Sequence, residues 1–270
     1  MKKRAPAVAG RFYPGDPGEL RDCVDALLAS SGELSQPGLR AVLVPHAGYP
    51  YSGPTAGHAY ARMKGRAVAR VFLLGRSHRH RFEGLSLPSA DCFETPMGEL
   101  PVDQAAITAL QGALGSTCQE AHELEHTLEV QLPFLQAALG NISIVPILFG
   151  SDATPWHEEA GRVIAGLMQA EDLLVLSTDL SHYLRESEAN AIDRASLDFV
   201  LTQSPQAVRE ATASGACSMC GTPAVVAGMS AALALGAQDW SLLDYRTSGA
   251  VSHDFNRVVG YGALSMSHAA

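Results

Sequence analysis

Three apolar runs each break into a short turn that carries a histidine, and this repetition limits what the chain can fold into. Ala41–Val44 runs into Pro45 and His46, within the stretch VLVPHAGYPYSG from Val42 to Gly53. VFLLG, Val71 to Gly75, runs into Arg76, Ser77 and His78. LLVLST, Leu173 to Thr178, runs into Asp179, Leu180, Ser181 and His182. Short continuous apolar runs bounded by turn residues suit strands covered on both faces, as in parallel sheet. In open α/β sheets, ligands collect beyond the carboxyl ends of the strands. His46, His78, Asp179 and His182 are therefore expected to meet in one site.

The segments between these runs carry helical periodicity. Helices are expected over Pro17–Leu28 behind an Asp16 cap, Pro54–Met63, Val102–Leu110, Trp156–Met168, Ser187–Leu201 and Ser204–Ala213. Another is expected over Ala224–Leu235, with Thr222 as cap and Pro223 at its first position. The longest pattern is Glu123–Leu139, with a kink or break at Pro133 and an end at Gly140-Asn141. Further strands are expected at Ala69–Gly75, Gly84–Pro88, Ile142–Phe149, Trp240–Thr247 and Val258–Met266. Arg4–Asp16 reads as an irregular lead-in, Ser30–Gly38 as a loop and Thr95–Leu100 as a turn. Strands alternating with helices give an α/β fold, a three-layer helix–sheet–helix sandwich, as one domain over residues 1–270.

Charge excludes one class of partner. The formal net charge is −9 and no basic run occurs, which argues against a nucleic-acid surface. The apolar runs are far short of a membrane span, and no apolar segment follows Lys2, Lys3 and Arg4, so no signal peptide is expected. The five cysteines then read as reduced thiols of a cytoplasmic protein. Cys217-Ser-Met-Cys220 is a C-x-x-C with no second pair to complete a four-cysteine zinc site.

Neutral imidazoles at His46 and His78 suit iron, copper or zinc. Asp179 and His182 offer a carboxylate and an imidazole that could complete a metal site or move a proton. Cys220 lies just before a helix, where the positive end of the dipole favours thiolate. Each has a plainer reading: loop histidines with one hydrogen bond, Asp179 or Ser181 as a cap, and Cys220 as a small buried residue. His122-Glu123-Leu124-Glu125-His126 matches H-E-x-x-H, the helical zinc-peptidase motif. No third ligand follows at the required spacing: Thr127 to Phe134 holds neither glycine nor histidine, and no glutamate lies between Val130 and His157. No phosphate-binding glycine loop or nucleophile elbow is present.

Several segments together resemble the Memo family, known in prokaryotes as AmmeMemoRadiSam system protein B. They are AVAGRFYP (Ala7–Pro14), PHAGYPYSG (Pro45–Gly53), LLGRSH (Leu73–His78), EHTLEVQLPFLQ (Glu125–Gln136), IVPILFG (Ile144–Gly150), STDLSHY (Ser177–Tyr183), MCGTPAV (Met219–Val225) and YRTSG…VVGYGAL (Tyr245–Leu264). The resemblance implies a fold like the LigB subunits of class III extradiol dioxygenases, which are non-haem iron enzymes. It implies iron or copper held by His46, His78 and Cys220, with zinc disfavoured. Asp179 and His182 would stand beside the metal as catalytic groups, Phe12 and Tyr51 would line the pocket, and His126 would support the site. Partners implied are AMMECR-type and radical-SAM proteins, with a small molecule or peptide as ligand. Two departures bear on activity. A cysteine replaces the dioxygenase carboxylate, and the family's second consecutive histidine is Arg79 here, with His80 one place later. Three functions follow: a metal-dependent redox enzyme, a binding module using the same pocket without turnover, and a zinc peptidase through His122 and His126.

Overall fold

A computed structural model describes residues 1–32 and 35–269. Its elements in chain order are β1 (Lys3–Arg4), α1 (Pro17–Ser30), β2 (Leu39–Val44), α2 (Tyr49–Ala61), β3 (Arg70–Arg76), β4 (Leu85–Ser86), β5 (Cys92–Thr95), β6 (Gly98–Pro101), α3 (Gln104–Leu114), α4 (Leu132–Leu139), β7 (Ser143–Phe149), α5 (Pro155–Leu167), β8 (Leu173–Ser177), β9 (His182–Leu184), α6 (Glu186–Leu201), α7 (Pro205–Ala213), α8 (Thr222–Ala234), β10 (Asp239–Thr247), α9 (Gly249–Ser252) and β11 (Val258–Ser267). The main sheet runs β10-β11-β2-β8-β3-β7-β4, with β9 pairing β11 to one side. Its centre, β2, β8, β3 and β7, is parallel, and antiparallel strands close both flanks.

The central strands are buried on both faces, and their side chains alternate between two cores. On one face, Leu43 of β2, Phe72 and Leu74 of β3, and Leu174 and Leu176 of β8 pack with residues of α3, α5, α6, α7 and α8. On the other, Val42, Val44, Val71, Leu73, Leu173 and Val175 pack with residues of α1, α2 and α4. The helix–sheet–helix sandwich follows from this two-sided burial. α8 lies against the sheet so closely that a Cβ on Gly228 would fall 1.9 Å from Leu176 Cδ2. One on Gly161 of α5 would fall 2.0 Å from Ala227 O of α8. Small residues in α5 and α8 thus set the spacing of this layer.

Asp16 caps α1 as expected, its Oδ1 accepting from the amides of Gly18 and Glu19 at 2.8 and 3.0 Å. Other expectations are corrected. α2 begins at Tyr49 rather than Pro54, with Pro54 inside it and Pro50 in its first turn, where a missing N–H costs nothing. Gly221 rather than Thr222 is the cap position of α8, and Thr222 Oγ1 donates to Met219 O at 2.9 Å instead. The Thr95–Leu100 turn is the tip of a β5–β6 hairpin, and with β1 it forms a second, three-stranded sheet that extends into the supposed lead-in. Gly84–Pro88 contributes only the two-residue β4. The loop expected at Ser30–Gly38 lies partly outside the described residues, and Ser30 itself ends α1.

The largest correction concerns Glu123–Leu139. A 3₁₀ turn at Gln119–His122, an irregular segment, a second 3₁₀ turn at Glu129–Gln131 and the short α4 replace one long helix. The Glu125 carboxylate captures the amides of His126 and Thr127 at 3.0 and 3.1 Å. Pro133 sits in the first turn of α4, where it suits a helix start.

Candidate metal centre

The three histidine-bearing turns open from neighbouring parallel strands. His46, His78 and Asp179 each stand two residues beyond the ends of β2, β3 and β8. β8 lies between the other two, so its Asp179 falls between the histidines in strand order. Asp179 Oδ1 accepts the amide of His46 at 2.7 Å and so ties the two turns together. Cys220 comes from the segment before α8, held down by its amide to Asp179 O at 3.1 Å and by Gly221 N to Thr178 Oγ1 at 2.9 Å.

One nitrogen of His46 and one of His78, with Cys220 Sγ, all lie within 4.8 Å of one another. Cys220 Sγ is 3.2 Å from His46 Nε2 and 3.2 Å from the amide of Asp179. The hydrogen-bond network fixes which nitrogen of His46 is free. Its Nδ1 meets Ser177 Oγ at 2.9 Å. The Ser177 hydroxyl spends its one proton on Thr127 O at 2.8 Å, so Nδ1 must donate. Nε2 is left unprotonated and faces the sulfur. Gln131 Nε2, also donating to Ser177 Oγ at 3.0 Å, completes this brace.

Glu125 orients the other two rings. Its Oε2 accepts the amide of His78 at 2.6 Å, and Oε1 lies 3.3 Å from His78 Nδ1 and 3.1 Å from His126 Nδ1. The three rings of His46, His78 and His126 stand with centroids 5.0 to 5.4 Å apart. His78, Glu125 and His126 form a second close group of potential ligand atoms. Burial alone would raise the pKa of Glu125, but hydrogen bonds from His126 and His78 outweigh it and hold the carboxyl well below its ordinary range.

Electrostatics set the protonation of the group. His46 is 2% exposed. Burial, then the neighbouring His126 and His78, hold its pKa well below that of a free imidazole, so it is neutral, the form that ligates. Burial raises Asp179, opposed by the His46 amide. Burial and then Asp179 push the Cys220 thiol up to about 12. The helix dipole was expected to favour thiolate at Cys220, and burial overrides it. In the bare protein Cys220 is a thiol, and a cation beside it is what would ionise it.

The remaining expected residues divide. Phe12 packs its ring edge-on to His126 at 5.1 Å. Tyr51 sits in the first turn of α2, 40% exposed. His182 lies at the exposed end of its turn, with Nδ1 bonded to Leu180 O at 2.9 Å and Nε2 unengaged. Asp179 and His182 belong to neither close group of ligand atoms among the described residues, although Asp179 Oδ2 is 4.0 Å from His46 Nε2. Among the described residues His80 makes only one bond, from its backbone amide to Ser77 Oγ. The C-x-x-C is split, for Cys217 is buried in the core beside α8 while Cys220 faces His46.

The zinc-peptidase geometry is absent. His122 and His126 are not on one helix, and His122 Nε2 is bound to Ser86 O at 2.9 Å. His122 belongs to neither close ligand group among the described residues. Sequence reasoning missed Glu125, Thr127, Ser177 and Gln131 as orienting groups. Their signal was membership of the quoted segments, Glu125, Thr127 and Gln131 in EHTLEVQ and Ser177 at the head of STDLSHY.

A family model described as "Memo-like protein" matches residues 4–265. A MEMO1 family protein of Aquifex aeolicus is 36% identical over 265 residues, covering 97% of this chain and 98% of its own length. One from Methanopyrus kandleri is 33% identical over 280 residues, covering 97% and 98%. Among solved structures, an uncharacterized protein of Escherichia coli K12 superposes with a TM-score of 0.52 at 14% identity, covering 84% of this chain and 99% of its own. That likeness concerns the fold alone. No helix among the described residues is long and apolar enough to cross a membrane.

Proposed function

This chain belongs to the Memo-like protein family, and on that premise we propose that it is a metal-binding redox protein whose centre is formed by His46, His78 and Cys220. The observation that carries the reading is the convergence of two imidazoles and one thiol within 4.8 Å, from the ends of β2 and β3 and the start of α8. The donor set fits a soft or borderline ion. One sulfur and two imidazole nitrogens suit iron or copper, and the oxygen-only ligands of magnesium or calcium are lacking. Zinc satisfies the same donors, so the choice of iron or copper rests on what the Memo-family resemblance implies.

Such an ion, when bound, would supply one-electron chemistry to a small substrate. The chain's own groups do the rest. Ser177 and Glu125 hold His46 and His78 with their inner nitrogens free. Asp179 holds the His46 turn by accepting its amide, and its buried carboxyl, whose pKa burial raises, would hold a proton beside the centre. His182, tied through Nδ1 to Leu180 O with Nε2 unbonded among the described residues, would be the group that meets solvent at the rim. Phe12 and Tyr51 wall the approach. A thiolate in place of a carboxylate alters the ion's softness, so ring cleavage is not part of the proposal.

The test is elemental analysis of untagged protein purified without oxygen. Stoichiometric iron or copper, lost in a His46→Ala, Cys220→Ala variant that still folds, is the expected result. Metal content unchanged in that variant would overturn the reading. Ligand binding at full strength by metal-free protein, with no turnover in either form, would favour a binding module.

A further inference from the structure

The Glu125 carboxylate lies behind two imidazoles at once. Its oxygens are crowded with donors. Oε2 takes the amide of His78, while Oε1 takes the amides of His126 and Thr127 and the Thr127 hydroxyl at 2.7 Å. The Nδ1 atoms of His126 and His78 stand 3.1 and 3.3 Å from that same Oε1. The Thr127 hydroxyl also lies 3.0 Å from His78 Nδ1. With its single proton directed to Glu125, or to Arg76 O at 3.1 Å, that hydroxyl accepts from His78 rather than donating.

From this geometry we infer that Glu125 is a shared positioning residue, which fixes the Nδ1–H tautomer of both His78 and His126 and so leaves the Nε2 atom of each unprotonated. One carboxylate thus sets a metal ligand and a free imidazole together, so the two cannot be retuned independently. Metal-bound histidines commonly lean on such a carboxylate. The double use of one oxygen, with three backbone amides converging on the same group, is the feature of this chain.

The competing reading is a second ion held by His78, Glu125 and His126. Three amides and a hydroxyl already occupy the carboxylate, and an ion there would have to displace them. The loop cannot readily adjust to make room. Arg4, buried, donates from Nη2 to Glu125 O at 2.6 Å and from Nε to His122 O at 3.0 Å, and its guanidinium pairs with the buried Glu129. The amino-terminal segment thus pins the loop by its carbonyls, and positioning is the better account.

The tautomer assignment does not depend on a metal; its consequence for affinity rests on the metal-binding reading above. The experiment therefore has two arms. Long-range proton–nitrogen spectra of the imidazoles in metal-free protein at neutral pH are expected to show both His78 and His126 as Nδ1–H. A Glu125→Gln variant, whose carboxamide must donate as well as accept, is expected to mix the tautomers of both rings. In the second arm, cobalt(II) titration should give the variant an affinity weaker by about 10- to 100-fold at unchanged stoichiometry. A wild-type ring found as Nε2–H overturns the inference without any variant, as do unchanged tautomers in Glu125→Gln. Loss of one of two cobalt ions per chain overturns it in favour of the second-ion reading. Wild-type protein that binds no cobalt refutes the metal-binding reading, and the ring spectra then decide this inference alone.

Discussion

Replacing Gly221 by alanine probes how Cys220 is held. Gly221 follows the cysteine directly and lies against the end of β8. A Cβ there would stand 2.5 Å from Ser177 O and 2.8 Å from Thr178 Cβ. Neither neighbour is the tip of a flexible side chain, so the segment before α8 must lift. Recovering ordinary carbon–oxygen separation needs a shift on the order of 0.5–1 Å. The backbone angle φ at Gly221 is −96°, which alanine adopts freely, so the cost is steric alone. Overpacking of this kind costs about 1–3 kcal/mol. For a chain of this size that lowers Tm by roughly 2–5 °C. The lift also strains the bonds from Gly221 N to Thr178 and from Cys220 N to Asp179. It carries Cys220 Sγ off its 3.2 Å approach to His46 Nε2, while metal–ligand distances tolerate only about 0.2 Å. Gly221→Ala should therefore lose both thermal stability and cobalt(II) affinity, read by calorimetry and by competition with a chelator. Gly112→Ala in α3, where a Cβ meets nothing within 4 Å, is the control and should gain up to about 1 kcal/mol. A Gly221→Ala protein equal to wild type in both assays would refute the claim that close packing at β8 sets the position of the sulfur.

Other consequences are as direct. Tyr183 has a left-handed backbone with φ of 63° and is 65% exposed, so Tyr183→Gly should raise stability by about 1 kcal/mol in urea unfolding. A destabilised variant would show that the stacking of Arg257 over the ring, 5.2 Å from its centroid, outweighs the backbone strain. His122 and His157 both have pKa values lowered to about 4, mainly by burial. The unfolded imidazoles bind protons below about 6.5 that the folded ones refuse until about 4. Stability is thus full above pH 6.5 and falls toward pH 4, by about 3 kcal/mol for each histidine. Urea midpoints at pH 7 and 4.5 check this, and equal midpoints would contradict it.

The parts of the site legible in the sequence are those fixed by a strand end. His46, His78 and Asp179 follow unbroken apolar runs, and such runs at this length admit little besides buried parallel strands. Cys220 was legible only through its place before a proline-led helix and through the resemblance, and its ionisation was misjudged because dipole and burial act in opposite directions. Glu125 was concealed in a stretch with helical spacing. The leucines at 128, 132, 135 and 139 keep one face through two 3₁₀ and α pieces, and periodicity does not register a carboxylate that removes two amides from the helix. The β5–β6 hairpin escaped notice because each strand is four residues long, too short for alternation to stand out. The helix expected from Pro54 starts at Tyr49, where Pro50 in the first turn is as good a helix-start signal as it is a turn signal.

The central claim is that one sulfur and two imidazoles share an ion. X-ray absorption at the metal edge of anaerobically loaded protein tests it most directly. The account predicts one sulfur scatterer with imidazole scattering from two histidines in the wild type, and loss of the sulfur alone in Cys220→Ser. A first shell of nitrogen and oxygen only, unchanged by that substitution, would contradict it.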